Sequence, residues 1–286
     1  MFFNNNDKIN IGGNVMDNKL LEKHARNIRK NIIEMVYAAQ SGHPGGSLGA
    51  ADILTSLYFE EMNITKKNVN STNRDRFVLS KGHASPCLYG TLYEKGLIKE
   101  NLKTFRQLHS KLQGHPNMNY LPGVDMSTGS LGQGISTAVG MAIANKLDKN
   151  KNRVYVLVGD GESEEGLVWE AMMAAGHKKL DNLCVIFDEN GLQIDGNVQD
   201  VGGPLPLDTK AKAFGFNVIK INGNNFDELR KAFRQARLTK GRPTCIVAKT
   251  IKGKGVSFME NNYAWHGAAP NKEQYEQAIF EIKEAE

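Results

Sequence analysis

The chain has 286 residues, 40% of them hydrophobic and 23% charged, with a formal net charge of +5. That length holds one large domain or two small ones, and the composition is that of an ordinary globular protein rather than a disordered or fibrous one. Basic residues are interspersed with acidic ones, so the surplus favours anionic small molecules over nucleic acid, and no apolar run is long enough to span a membrane.

Residues 1 to 18 begin MFFNNNDKINIGGN, which is polar and Asn-rich, lacks the layout of a secretory signal, and is expected to be a disordered tail. From 19 to 286 a single α/β domain is expected. Leu20, Ile28, Ile32, Met35, Val36 and Ala39 fall near helical spacing, so a helix is predicted over 19 to 40, ending at Ser41-Gly42 with Pro44 beyond it. A second, more buried helix is predicted over 47 to 62. FVLS at 77 to 80 suits a parallel strand, and a turn and helix follow in KGHASPCLYGTLYEKG. ENLKTFRQL reads as a short helix. The Gly/Pro-rich stretch from 113 to 134 is too long and too regularly punctuated for a linker, and ISTAVGMAIANKL continues it as a small-residue helix.

From Arg153 onward strands and helices alternate: RVYVLVG, LCVIFD, FNVIKI and TCIVAKT are separated by helical segments, and a last helix is expected near 271 to 285. This alternation predicts a parallel sheet with helices on both faces. Cys87, Cys184 and Cys245 have no metal-ligand spacing; Cys184 and Cys245, in apolar strand-like runs, read as buried thiols, and the usage fits a reducing, cytoplasmic setting.

VLVGDGESEEG, 156 to 166, ends a strand in a Gly-Asp-Gly turn followed by Glu162, Glu164 and Glu165. Ligands of open α/β sheets bind at such strand ends, yet carboxylates repel phosphates. The next strand closes on Asp188-Glu189-Asn190, and neighbouring strands would set Asp160 and Asn190 side by side. Two oxygen ligands there suit a hard cation, Mg²⁺ or Ca²⁺, that bridges to phosphate oxygens. Gly159 and Gly161 would let backbone approach closely. Taken alone, Gly-Asp-Gly is equally a solvated acidic turn.

The run GDGESEEGLVWEAMMAAGHKKLDNLCVIFDEN resembles the thiamine diphosphate signature. SGHPGGSLGAADIL at 41 to 54, LSKGHASPCLYG at 79 to 90, LQGHPN at 112 to 117, STGSLGQGIS at 127 to 136 and YAWHG at 263 to 267 resemble transketolase, in order, over about Leu20 to Gly267. The resemblance implies thiamine diphosphate as cofactor with Mg²⁺, Ca²⁺ and Mn²⁺ being possible substitutes. It adds the Leu192 carbonyl to Asp160 and Asn190 as a metal ligand. His43 and His115 would touch the donor sugar's oxygens, and His83 and His266 would lie at the diphosphate and the reacting centre. Gly129 and Leu131 would pack on the cofactor, and Glu162 falls within its binding turn, though a solvated role for Glu162 and Glu164 stays open. Glu165 and Glu170 match glutamates that meet where two cofactor-binding halves adjoin, with raised pKa values if buried together. Lys249 and the KGKG run either face a phosphate or form a solvated loop. His24, His109 and His177 are read as helical surface or packing residues.

A full transketolase has two further domains, the second of which binds the aminopyrimidine and most of the substrate phosphate. The present sequence stops at Glu286, so the resemblance implies the N-terminal subunit of a split transketolase. It would self-associate, bind a C-terminal subunit carrying the pyrimidine-binding domain, and transfer a two-carbon ketol unit between sugar phosphates. SGHPGG in place of SGHPGA and LSKGH in place of LSNGH are modest departures. KGKGVSFMENNYAWHG is closer to split transketolases and also somewhat similar to deoxyxylulose-phosphate synthase, which remains an alternative, as does a cofactor-binding module without catalysis. A nicotinamide-dependent oxidoreductase is weaker, because GDGESE lacks the third Gly of Gly-x-Gly-x-x-Gly.

Overall fold

The computed structural model describes residues 16–284. Residues 1–15 of the expected tail lie outside the described residues. Met16 to Asn18 are structured: the Met16 amide donates to Glu60 at 2.8 Å, and Asp17 caps the first helix by accepting from the Lys19 amide at 3.2 Å.

In chain order the helices and strands are α1 (Asn18–Ala39), α2 (Pro44–Gly49), α3 (Ala51–Ser56), β1 (Arg76–Leu79), α4 (Ser85–Glu94), α5 (Gln133–Leu147), β2 (Val154–Gly159), α6 (Gly166–His177) and β3 (Leu183–Glu189). A small hairpin of β4 (Leu192–Gln193) and β5 (Gly196–Asn197) follows, then α7 (Val198–Val201), α8 (Leu207–Ala213), β6 (Asn217–Asn222), α9 (Phe226–Leu238), β7 (Thr244–Lys249) and α10 (Lys272–Glu284). The main sheet is parallel throughout, in the order β1-β2-β3-β7-β6.

The central strands are apolar almost without break because both faces are covered. Phe77, Leu79, Tyr155, Leu157, Cys184, Ile186 and Ile246 point into one core with residues of α1, α3, α4, α9 and α10. The alternate residues, Val78, Val156, Val158, Val185, Phe187 and Val247, point into a second core with α5, α6 and α8. Side-chain alternation at period two thus sorts one run of apolar residues into two layers. All three cysteines are free and buried, and among the described residues no helix is long and apolar enough to cross a membrane.

Three sequence expectations need correcting. The first helix ends at Ala39, two residues short of Ser41, because Gln40 takes a left-handed φ of 47°; Pro44 lies beyond it as expected and opens the next helix, where a missing N–H costs nothing. The helix predicted over 47 to 62 is broken at Ala50, and Leu57–Glu61 widen into a π-type turn. ENLKTFRQL forms only a 3₁₀ turn over Leu102–Thr104, because Phe105 turns extended to enter the core and Arg106 takes a left-handed φ of 60°. His109 is likewise a left-handed loop residue, not a helical one.

The 113–134 segment has no regular structure before α5, and a buried carboxylate ties it to β1. Asp125 accepts from both terminal nitrogens of Arg74 (3.0 and 2.6 Å), from Arg76 at 2.8 Å and from the Phe77 amide at 2.9 Å. Farther along, Thr128 Oγ1 donates to the Leu79 carbonyl at 2.7 Å, which places the STGSLGQG loop beside the C-terminal end of β1.

Candidate active site

The strand order makes β2 and β3 neighbours, with Gly159 opposite Asp188. Asp160 and Asn190 therefore emerge at one mouth, and the two turns interlock. One Asp160 oxygen accepts from the Gly161 amide at 2.9 Å and the other from the Gly191 amide at 2.5 Å. Asp160 is 2% exposed. Burial, with Asp188 adding, raises its pKa from 3.8 to about 6. Asn190 Oδ1 accepts from the Leu192 amide at 3.1 Å, and the Leu192 carbonyl accepts from the Lys252 ammonium at 3.0 Å. A buried carboxylate, an amide oxygen and a carbonyl already turned toward a cation form a hard, all-oxygen donor set. These residues fit a divalent cation.

Above them lies a cavity of about 330 Å³, lined by His43, Gly46, Lys81, His83, Gly129, Leu131, Asp160, Glu162, Asn190, Leu192, Lys252 and His266, among others. A larger surface groove of about 880 Å³ runs past Asn73, Arg76 and the C-terminal end of α5. It sits at the strand N-termini, away from the end where such sheets bind ligands.

Three of the four expected histidines form one cluster. The ring centroids of His43, His83 and His266 are 5.1–5.4 Å apart. His115 is exposed and lies beside the cavity, against Gly129, where a Cβ would come within 3.0 Å of its ring. Gly129 therefore serves as a spacer as well as a wall, and its φ of 151° suits only glycine. Of the remaining histidines, His24 is a packing residue, stacked on Phe59 and bonded to Glu94 at 2.9 Å.

Two cations set the state of the cluster. Lys252 Nζ lies 2.9 Å from His266 Nδ1, and Arg106 Nη2 lies 3.5 Å from His43 Nδ1. A cation can only donate, so both Nδ1 atoms accept and the hydrogens belong on Nε2. Burial first, then these charges, lowers His43 from 6.5 to about 4 and His266 to about 3; burial and Lys81 push His83 well below its ordinary value. All three are neutral at pH 7. An unfolded chain regains ordinary histidines near 6.5, so unfolding takes up protons on acidification from about pH 6.5 to about 4. Asp160 opposes this, since its raised folded pKa favours the native state as pH falls through 6. Glu162 and Glu189, also raised by burial, oppose it too, and His115, lowered by burial, adds to the histidine side; the large shifts of His43, His83 and His266 decide the sign. The thermal midpoint is expected to fall between pH 7 and pH 4.5, and replacing His43 with Gln should shrink that fall; a flat profile would contradict the arrangement.

Lys81 and Asp188 carry no motif role in the sequence beyond their strand-end positions. Both are buried, and they form an ion pair at the cavity wall, which Lys81 lines. Thr250 donates to the other Asp188 oxygen, Lys81 also donates to the Gly46 carbonyl at 3.2 Å, and Asn190 Nδ2 lies 3.4 Å from Asp188. The only signal for Lys81 is its place in LSKGH. Of the lysines near the KGKG run, Lys249 ends β7 exposed, whereas Lys252 is 2% exposed and reaches the cavity. Burial, with Lys81 adding, lowers Lys252 from 10.5 to about 8.

Glu162 is buried at 3% exposure rather than solvated, and its carboxylate faces protein donors. Glu164 is exposed at the cavity rim, and Glu165 and Glu170 are exposed at the start of α6. The Gly-Asp-Gly turn leads into a 3₁₀ turn over Gly161–Glu164 that is capped by the buried Asp160 and holds the buried Glu162. A dinucleotide pyrophosphate would meet the Asp160 carboxylate at this turn.

The family model described as transketolase, thiamine diphosphate binding domain, matches residues 21–282. An apulose-4-phosphate transketolase subunit from Phocaeicola vulgatus is 43% identical over 270 residues, covering 94% of this chain and 96% of that protein. A 6-deoxy-6-sulfo-D-fructose transketolase subunit from a Clostridium species is 44% identical, with 92% and 96% covered. The solved transketolase of Campylobacter jejuni superposes with a TM-score of 0.87 at 40% identity; the match takes in 94% of this chain but 43% of that one. The chain thus spans less than half the length of that solved transketolase and nearly all of the two subunits. It belongs to the transketolase family, of which it carries the thiamine diphosphate-binding domain.

Proposed function

We propose that the chain is the diphosphate-binding subunit of a two-chain, thiamine diphosphate- and Mg²⁺-dependent transketolase, which moves a two-carbon ketol unit from a ketose phosphate to an aldose phosphate. The observation that carries this reading is the meeting of Asp160, Asn190 and the Leu192 carbonyl at the mouth of a cavity walled by three neutral histidines. Near-complete coverage of relatives named as transketolase subunits supports a separate polypeptide that holds the pyrimidine-binding domain. The transketolase names of those relatives favour this activity over a deoxyxylulose-phosphate synthase-like one. Self-association through the surface of Glu165 and Glu170 and a cytoplasmic setting belong to the same reading.

Asp160, Asn190 and Leu192 would hold the cation, with Ca²⁺ or Mn²⁺ as substitutes, and so neutralise the charge of a diphosphate at an acidic mouth. Thiamine diphosphate, when bound, supplies an electron sink for cleavage of a ketose carbon–carbon bond. The chain's own residues supply the rest. Lys252 brings a buried positive charge to the diphosphate side. His43 and His266, each held with hydrogen on Nε2, donate to substrate oxygens, and His115 stands farther out. His83 and Gly129 shape the wall beside them. Imidazoles kept neutral can give and take hydrogen bonds without carrying a charge into the cavity.

Calorimetric titration of the chain together with its partner polypeptide tests the reading. Thiamine diphosphate is expected to bind only with a divalent cation, and NAD not at all. Lys252→Ala should weaken that binding by roughly 10- to 100-fold, the loss expected for one charge-assisted hydrogen bond. Binding of NAD without binding of thiamine diphosphate would overturn it.

A further inference from the structure

The Glu162 carboxylate ties together three pieces of chain that meet at the cavity, adding to the β1–β2 pairing and to the Thr128 bond to the Leu79 carbonyl. One oxygen accepts from Ser80 Oγ at 2.5 Å and from the Gly132 amide at 2.9 Å; the other accepts from the Gly159 amide at 2.9 Å. Ser80 follows the end of β1, Gly132 caps the start of α5, and Gly159 ends β2. We propose that Glu162 is a positioning residue: a buried clamp that sets the β1 end, the α5 start and the Gly-Asp-Gly turn in the relative places that a diphosphate needs.

The neighbouring glycines show how closely the clamp draws these segments together. A Cβ on Gly134 would lie 2.7 Å from the Ser80 Cα, and one on Gly132 would lie 2.9 Å from the Glu165 Cβ. Gly132 has a φ of 78°, which turns its amide out of the helix direction and toward the carboxylate. The residues placed by these segments are those of the cavity: Lys81 and His83 follow Ser80, Gly129 and Leu131 precede Gly132, and Asp160 follows Gly159. With three donors on its two oxygens, and at 3% exposure, the carboxylate is engaged by protein and does not itself receive the ligand. Its charge is needed as an acceptor of N–H and O–H groups whose own alternatives are buried.

This inference rests on the proposed function for its ligand and on geometry for the clamp, and the test separates the two. Glu162→Gln keeps the shape but supplies one acceptor oxygen and one NH₂. Whichever way the amide sits, a donor faces either the Gly159 or the Gly132 amide. In the full chain, hydrogen exchange at Gly132 and Gly159 should accelerate by roughly 10- to 100-fold, while Val156 and Ile186 in the strands keep their protection. With Mg²⁺ and the partner polypeptide present, thiamine diphosphate affinity should fall by a similar factor. Ser80→Ala should weaken affinity in the wild-type background and change nothing further in Glu162→Gln, since both act through one carboxylate. Unchanged exchange at the two glycines, or unchanged affinity in Glu162→Gln, would overturn the proposal. So would equal loss of protection at Val156 and Ile186, which marks general destabilisation. If wild-type chain binds no thiamine diphosphate while the exchange pattern is as expected, the clamp stands and the functional reading falls.

Discussion

Replacing Asp160 with Ala is expected to weaken metal-dependent thiamine diphosphate binding by well over ~100-fold, beyond the roughly 10- to 100-fold that loss of an outer partner costs at a metal site. Asp160 is the one charged oxygen in the donor set, and Asn190 and Leu192 offer only neutral ones. Its loss also frees the Gly161 and Gly191 amides, which unlocks the two turns from each other. Asp160→Asn separates the effects: it can keep an acceptor for one amide while removing the charge. Calorimetry at saturating Mg²⁺ should show both variants far weaker than wild type, with Asn the milder. Retained affinity in Asp160→Asn would mean that the carboxylate locks turns and holds no cation.

Replacing Asp188 with Ala should destabilise the fold by about 3–5 kcal/mol, the cost of leaving one member of a buried ion pair without its partner. Lys81 is 1% exposed and its ammonium has only the Gly46 carbonyl left. Thr250 and Asn190 lose their acceptor as well. Urea unfolding checks the magnitude. The double variant Lys81→Met with Asp188→Leu should be closer to wild type than Asp188→Ala, because neither charge then remains buried. Such a protein would fold but bind cofactor poorly, since Asn190 is held partly through Asp188. A loss of less than ~1 kcal/mol in Asp188→Ala would show that water reaches the pair.

The parts of the site that are legible in the sequence are those set by local pattern. Apolar runs ending in Gly-Asp-Gly and Asp-Glu-Asn announce two strands with their ligands at one end, and parallel pairing does the rest. The histidines can be found because each sits in a Gly/Pro-rich segment with its own signature. Non-local pairings are not legible. Nothing near Lys81 tells that a residue 107 positions later will neutralise it. Lys252 and Lys249 are alike in sequence, and only the turn after β7 sends one inward and leaves the other at the surface. Arg106 sits in a run that reads as helix, yet Phe105 is drawn into the core and reverses the chain there. Glu162 reads as one of several acidic residues because its three partners come from separate elements.

Ketol transfer in a reconstituted mixture tests the central claim most directly. The chain by itself, the proposed C-terminal partner polypeptide by itself and the two together would each be supplied with thiamine diphosphate, Mg²⁺, a ketose phosphate and an aldose phosphate. Exchange of the two-carbon unit is expected only when both polypeptides are present, and His43→Ala should reduce it with cofactor still bound. Transfer by the chain by itself, or no transfer by the cofactor-loaded pair with any sugar phosphate couple, would contradict the account.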